Sequence, residues 1–180
     1  MSARVPLPAG TTLGKSHEYG VNVDVSIDGA TEPTWQPARR IDNLAPTWTP
    51  TTQDIASYDD GGSPNQSVVA WALGLAYQQY GYRSETTGKF LPEIDALIRR
   101  SLPDALDGKA NVGLQFYHKP DTGIPDPDFG FEAQFRVTWS RVNTASDGNV
   151  EKFAYTCESQ GPVRQIPNPF TGWETEPETP

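Results

Sequence analysis

Residues 67–81, SVVAWALGLAYQQYG, place Val69, Trp71, Leu73, Leu75 and Tyr77 at every second position and Ala70, Ala72, Gly74, Ala76 and Gln78 between them. A period of two sends successive side chains to opposite faces of a strand, so the segment reads as a strand with one bulky and one nearly bare face. A helix is the rival, because Ala and Leu favour helices and Val68, Trp71, Ala72 and Leu75 fall at helical spacing. Strict size alternation and Gly74 in mid-segment favour the strand. Its bulky face, Val69 and Trp71 included, is expected in a core. Its bare face suits close approach by another sheet or subunit.

Other stretches carry the same period. Tyr19, Val21, Val23, Val25 and Ile27 alternate with Gly20, Asn22, Asp24 and Ser26, which is the pattern of a half-buried strand. After the turn residues Asp28 to Pro33, residues 34–41 (TWQPARRI) can return as an antiparallel partner. Pro37 cannot donate to a ladder, so this partner belongs at an edge or bulge. Strands are also predicted over 110–117, 129–142 and 150–159, with Asp147-Gly148 as the tight element of the last hairpin. In the second of these Phe129, Phe131, Ala133, Phe135, Val137 and Trp139 oppose Glu132, Gln134, Arg136, Thr138 and Ser140. One helix is predicted over 91–102, with Pro92 in its first turn, acids at its start, Arg99 and Arg100 at its end, and an apolar stripe of Ile94, Leu97, Ile98 and Leu102 that should lie on a sheet. Residues 42–66 show little periodicity and read as a long projecting loop in which Trp48, Ile55 and Tyr58 weigh against simple disorder. Residues 1–17 read as an arm and 161–180 as an extended tail. The fold class expected is mainly β, a sandwich of antiparallel strands with one flanking helix, in a single domain.

Charge and motifs narrow the chemistry. A formal charge of -9 argues against holding nucleic acid by neutralising phosphates. Cys157 is the one cysteine, which excludes an intramolecular disulfide or a cysteine-based zinc site, and it reads as a small core residue. His17 and His118 fall in no HxH or HExxH arrangement. The carboxylate and glycine clusters DDGG (59–62) and PDTGIPDPDFG (120–130) lack EF-hand spacing and double as turn chemistry. Catalytic and metal sites and cofactors are therefore not expected. Neither an apolar signal region nor a run of 18 apolar residues occurs, so no membrane partner is expected. Trp71 and Trp139 read as core residues, whereas Trp35, Trp48 and Trp173 need a partner. Arg39 and Arg40 point to carboxylates on a neighbouring subunit rather than phosphates.

The stretches SYDDGGSPNQSVVAWALGLAYQQYG, TGKFLPEIDALIRR and ESQGPVRQIPNPF, in this order of elements, resemble the major tail protein, or tail tube protein, of siphoviruses infecting actinobacteria. The resemblance implies a virion protein made in the host cytoplasm. It would self-assemble as hexameric rings stacked into a hollow tube around a tape-measure protein, with tail terminator and distal tail proteins as further partners and DNA passing through without specific binding. It also implies that the loop reaching the adjacent ring maps to residues 42–66, with Trp48, Ile55 and Tyr58 as apolar anchors beside Asp59 and Asp60. Ala70, Ala72, Gly74, Ala76, Arg39 and Arg40 are then candidate subunit contacts, and Asn22, Asp24, Ser26 or Glu132, Gln134, Thr138 candidate walls of the lumen. Arg136 in the second set would touch passing phosphates unless paired. An acidic subunit suits a channel in which DNA must slide. The competing readings are a virion decoration or glycan-binding module using exposed tryptophans, and a small hydrolase.

Overall fold

The computed structural model describes residues 9–11, 13–26, 30–56, 63–144 and 149–173. The period-two stretches form strands: β1 (Tyr19–Asp24), β2 (Trp35–Pro37), β3 (Ile41–Asp54), β4 (Gln66–Tyr80), β5 (Asn111–His118), β6 (Gly130–Arg141), β7 (Lys152–Ser159) and the short β8 (Arg164–Gln165). The helix α1 (Pro92–Arg99) and a 3₁₀ turn at Asp107–Ala110 lie between β4 and β5. The strands pair antiparallel in the order β2-β1-β5-β6-β7-β4-β3, with β8 beside β6 where β7 ends.

The chain itself shows that this sheet is rolled. β2 and β3 occupy its opposite ends, yet only residues 38–40 separate them, a stretch that spans at most about 14 Å from the last residue of β2 to the first of β3. The backbone N–H of Ala38 donates to Val21 O (2.8 Å) and that of Tyr80 to Arg40 O (3.5 Å), tying this connector to both ends. The expected sandwich is thus one continuous sheet folded over its own interior. Alternate residues of five strands fill that interior: Val21 and Val23; Leu73, Leu75 and Tyr77; Val112, Leu114 and Phe116; Ala133, Phe135 and Val137; Phe153, Tyr155 and Cys157.

α1 packs on β1 and β2 and inserts Ile94 and Leu97, both fully buried. Pro92 needs no N–H partner at the first turn, and Asp95 and Arg99 pair at 2.8 Å one turn apart. The helix ends at Arg99, three residues short of the expected 102, where the backbone tightens to bonds from Ser101 N–H to Ile98 O (3.0 Å) and from Leu102 N–H to Arg99 O (3.3 Å), and the Ser101 hydroxyl lies within hydrogen-bond reach of Leu97 O and Val137 O. Leu102 lies past that stop and is exposed, not part of the buried stripe.

The largest correction concerns residues 42–66. Residues 42–54 are not an irregular loop: they belong to β3, which pairs with β4 along nearly its whole length, while residues 57–62 lie outside the described residues. Pro46 and Pro50 lie four apart, opposite Leu75 and Trp71, so both missing N–H groups fall on the open side of an edge strand. Two register shifts, between Asp42 and Ala45 and between Thr51 and Thr52, bend the pair. The second correction is that Val69 and Trp71 are not core residues; they are 57% and 52% exposed. The Asp147-Gly148 turn lies outside the described residues, although the strands it joins pair as expected.

Candidate assembly surface

β4 has β7 as a neighbour only from Gly74 to Tyr80. From Gln66 to Leu73 its ladder partner among the described residues is β3 alone, so residues 48–54 and 66–73 form a two-stranded ribbon that leaves the rolled sheet. Trp48 pairs with Leu73 and Pro50 with Trp71, which places Pro46, Trp48, Pro50, Leu75, Leu73, Trp71 and Val69 on one face. Only the half of that face over the interior is covered. Trp48 meets Phe131 edge-on at 5.0 Å, and with Trp71, Val163 and Gln165 these two rings line a shallow groove of about 500 Å³. The opposite face carries Ala45, Thr47, Thr49 and Thr51 against Ala76, Gly74, Ala72 and Ala70. The four small residues named from the sequence thus share one surface, and a Cβ on Gly74 would meet nothing closer than 3.7 Å.

Ile55 is half exposed, and its backbone N–H donates to Asn65 O (2.9 Å), continuing the ribbon. Tyr58, Asp59 and Asp60 lie outside the described residues. Val68, Val69 and Trp71 were missed as surface anchors. The signal was available: a 15-residue strand extends about 50 Å, longer than the interior of a domain this size can cover.

The two sets of candidate lumen residues prove to be one surface. β1, β5 and β6 are neighbours, so Asn22, Gln115 and Glu132 stand side by side on the outer face. Asn22 Nδ2 donates to Gln115 Oε1 (3.0 Å), Gln115 Nε2 donates to Glu132 Oε2 (2.9 Å), and the Arg164 guanidinium pairs with the other oxygen of Glu132. Tyr117 donates its hydroxyl to Asn22 Oδ1 (2.9 Å), and burial raises that phenol to about 12. Asp24 serves a turn, its Oδ1 accepting the N–H groups of Ser26 and Thr34. Gln134 is exposed, and Thr138 donates to Thr156 O (3.4 Å). Arg136 donates to the Gln160 side-chain oxygen at 3.3 Å, a neutral partner that leaves its charge in place.

Arg39 and Arg40 separate in role. Arg39 donates from Nη1 to Glu93 Oε1 at 2.9 Å, and Glu93, on α1, is wholly buried. The carboxylate expected on a neighbouring subunit is supplied within the chain. Arg40 is exposed. Glu93 Oε2, Gln79 Oε1 and the hydroxyls of Tyr77 and Tyr155 are buried without a hydrogen-bond partner among the described residues. Desolvation holds both phenols above their usual range and pushes the buried Cys157 thiol up to about 12, the opposite of what a nucleophile requires. His17 lies 2.6 Å from Asp121 Oδ2, and His118 Nδ1 accepts the Asp126 N–H, so both rings fasten chain segments together. Among the described residues no three or more His, Cys, Asp or Glu side chains come together where they could hold a metal ion, and no helix is long and apolar enough to cross a membrane.

No family model matches the sequence, and no curated protein does. Solved structures do match. One chain from the tail of an empty gene transfer agent particle, refined helically with C6 symmetry, superposes with a TM-score of 0.57 at 11% identity, covering 86% of this chain and 99% of that one. A chain of the native gene transfer agent virion gives the same values. These chains and this one share a fold. A chain of the anti-feeding prophage baseplate, six-fold symmetrised, also aligns, at a TM-score of 0.48 and 13% identity over 87% of this chain and 97% of that one.

Proposed function

We propose that this chain is the structural subunit of a tail tube of the siphovirus kind, six copies closing a ring and rings stacking around a lumen through which DNA passes. The observation that carries the reading is the free-standing β3–β4 ribbon. An isolated two-stranded hairpin is marginal in water, and this one holds Val69 and Trp71 more than half exposed, with Val68 exposed beside them. A second copy laid along it would bury that face and supply the missing layer. The fold shared with a chain of a six-fold symmetric tail supports the same arrangement. A ring needs closed contacts, and a stack needs contacts that repeat without closing. The ribbon's two faces, one aromatic and one of Ala and Thr, offer two unlike surfaces for these. The hydrogen-bonded polar face of β1, β5 and β6 is the candidate lumen wall, acidic enough overall to let DNA slide. The role asks for no catalysis or cofactor. The tape-measure, terminator and distal tail proteins are its partners in this reading.

Negative-stain imaging of concentrated protein tests it. Rings or hollow tubes of uniform diameter are the expected result. A protein that stays monomeric at millimolar concentration with residues 41–80 intact overturns it.

A further inference from the structure

The free-standing ribbon has two long edges as well as two faces, and no charge guards them: Asp, Glu, Lys and Arg are absent between Asp42 and Asp54 and from Gln66 to Tyr80. Residues 67–77 combine high strand preference with no charge and no proline, the composition that favours open-ended strand addition. What each edge offers follows from the ladder. Successive residues of an antiparallel strand turn their N–H and C=O alternately to the two sides. From Ala70 to Tyr80 the even positions of β4 turn to β3, as the Tyr80 N–H does to Arg40 O (3.5 Å), and the odd positions turn away, as the Leu73 N–H does to Ser159 Oγ (3.0 Å). Pro46, Trp48 and Pro50 stand opposite Leu75, Leu73 and Trp71, so their backbone groups turn to the outer side of β3, where no further strand lies among the described residues. Of these three only Trp48 has an N–H to offer.

The β4 edge is interrupted by other means. Ser159 Oγ already takes the Leu73 N–H. Ala70 and Val68 stand opposite the consecutive residues Thr51 and Thr52, which makes Val69 an extra residue and breaks the regular spacing just beyond Trp71. We propose that these features close both edges of the ribbon to strand addition, with Pro46 and Pro50 as the residues that close β3, leaving the faces for contact with a second copy. A strand laid along β3 would have carbonyls opposite Pro46 and Pro50 with no donor to meet them. Both prolines are exposed, so filling the interior does not account for them. The closure does not depend on the tube reading, because any exposed and uncharged ribbon requires it to stay out of edge-to-edge association.

Pro46→Thr with Pro50→Thr restores both N–H groups in residues that favour strands. At a concentration where the parent sediments as a single subunit, this double variant is expected to form thioflavin-positive, open-ended assemblies at least about tenfold faster than the parent. The Trp48 amide, which turns to the open edge, should exchange its hydrogen at least about tenfold more slowly in those assemblies than in the free subunit. Thr47→Val with Thr49→Val raises strand preference on the same strand without adding an outward N–H, and it should behave as the parent does. A double proline variant that stays as monomeric as the parent overturns the proposal. Assemblies in which Trp48 exchanges as fast as in the free subunit overturn it too, and so does equal assembly by the Thr47 and Thr49 variant, which would make strand preference the cause. If urea unfolding shows the double proline variant to be less stable than the parent, Pro50→Thr alone, in the free-standing part of the ribbon, is read by the same measures and the same criteria.

Discussion

Trp71 and Leu73 sit two residues apart on one face of one strand, and their environments predict opposite outcomes. Leu73 is 1% exposed and Trp71 52% exposed. Leu73→Ala removes buried methyl groups from the interior and should destabilise the subunit by about 2–5 kcal/mol. Trp71→Thr keeps a good strand former, so it leaves the ribbon's local preference intact. The ribbon at Trp71 has only β3 as ladder partner and can open without opening the interior, so global stability should change by less than about 1 kcal/mol. Assembly should not be spared. A tryptophan buries up to about 250 Å², so the exposed half offers about 125 Å²; at about 25 cal/mol per Å² that is about 3 kcal/mol per contact, or roughly a hundredfold in association. Urea unfolding below the association threshold measures the first quantity, and sedimentation velocity across a concentration series the second. The reasoning fails if the Trp71 variant assembles at the parent's concentration, or if it loses as much subunit stability as Leu73→Ala.

Three further outcomes are expected. Arg39→Met leaves the buried Glu93 carboxylate without its cation and should cost about 3 kcal/mol, while adding Glu93→Leu should recover most of it; urea midpoints for the two singles and the double give the coupling. A Cβ on Gly130 would lie 2.7 Å from the carbonyl oxygen of Ile166 and 3.1 Å from that of Pro167, so Gly130→Ala must push away the segment that carries β8 and should destabilise by about 1–3 kcal/mol, with faster amide exchange at Ile166 the specific sign. Hydrogen bonds from His17 and then Lys15 hold the Asp121 carboxyl below its ordinary 3.8, and the Lys15 backbone N–H lowers Glu18 from 4.5. Since folded values lie below unfolded ones, the contact stabilises the arm above the ordinary carboxylate range and is lost as pH falls through the lowered values. Protection of the Lys15 amide should therefore persist to about pH 4 and disappear below it; loss between pH 5 and 7 would contradict the assignment.

Local pattern was enough to read the strand class. Period two marks β1, β4, β5, β6 and β7 because a half-buried strand must alternate, and the acid-to-base order over 92–100 marks α1 through the helix dipole. β3 escaped because Pro46 and Pro50 look like loop chemistry. Yet Ala45, Thr47, Thr49 and Thr51 alternate with Pro46, Trp48 and Pro50, a period that an edge strand permits and a central one forbids. A hairpin hidden in this way also concealed the candidate site, since β4 taken alone looks like a core strand along its full length.

Alternation settles which side chains share a face; it does not say what covers that face. Whether Trp71 meets a core or water depends on where β7 stops pairing with β4, and that is decided by residues some 80 positions away. The same non-local pairing merges Asn22 with Glu132 through Gln115, aims Arg39 at Glu93 rather than outward, and pins the segment after Ser159 by β8 and by Asn168, whose side-chain N–H groups donate to His118 O and Asp126 O at 2.8 Å. By itself the sequence determined the strand class, the helix and the two-faced character of residues 67–80. Only the tertiary structure decided where the interior ends, because burial is a property of neighbours that the chain brings together from far apart.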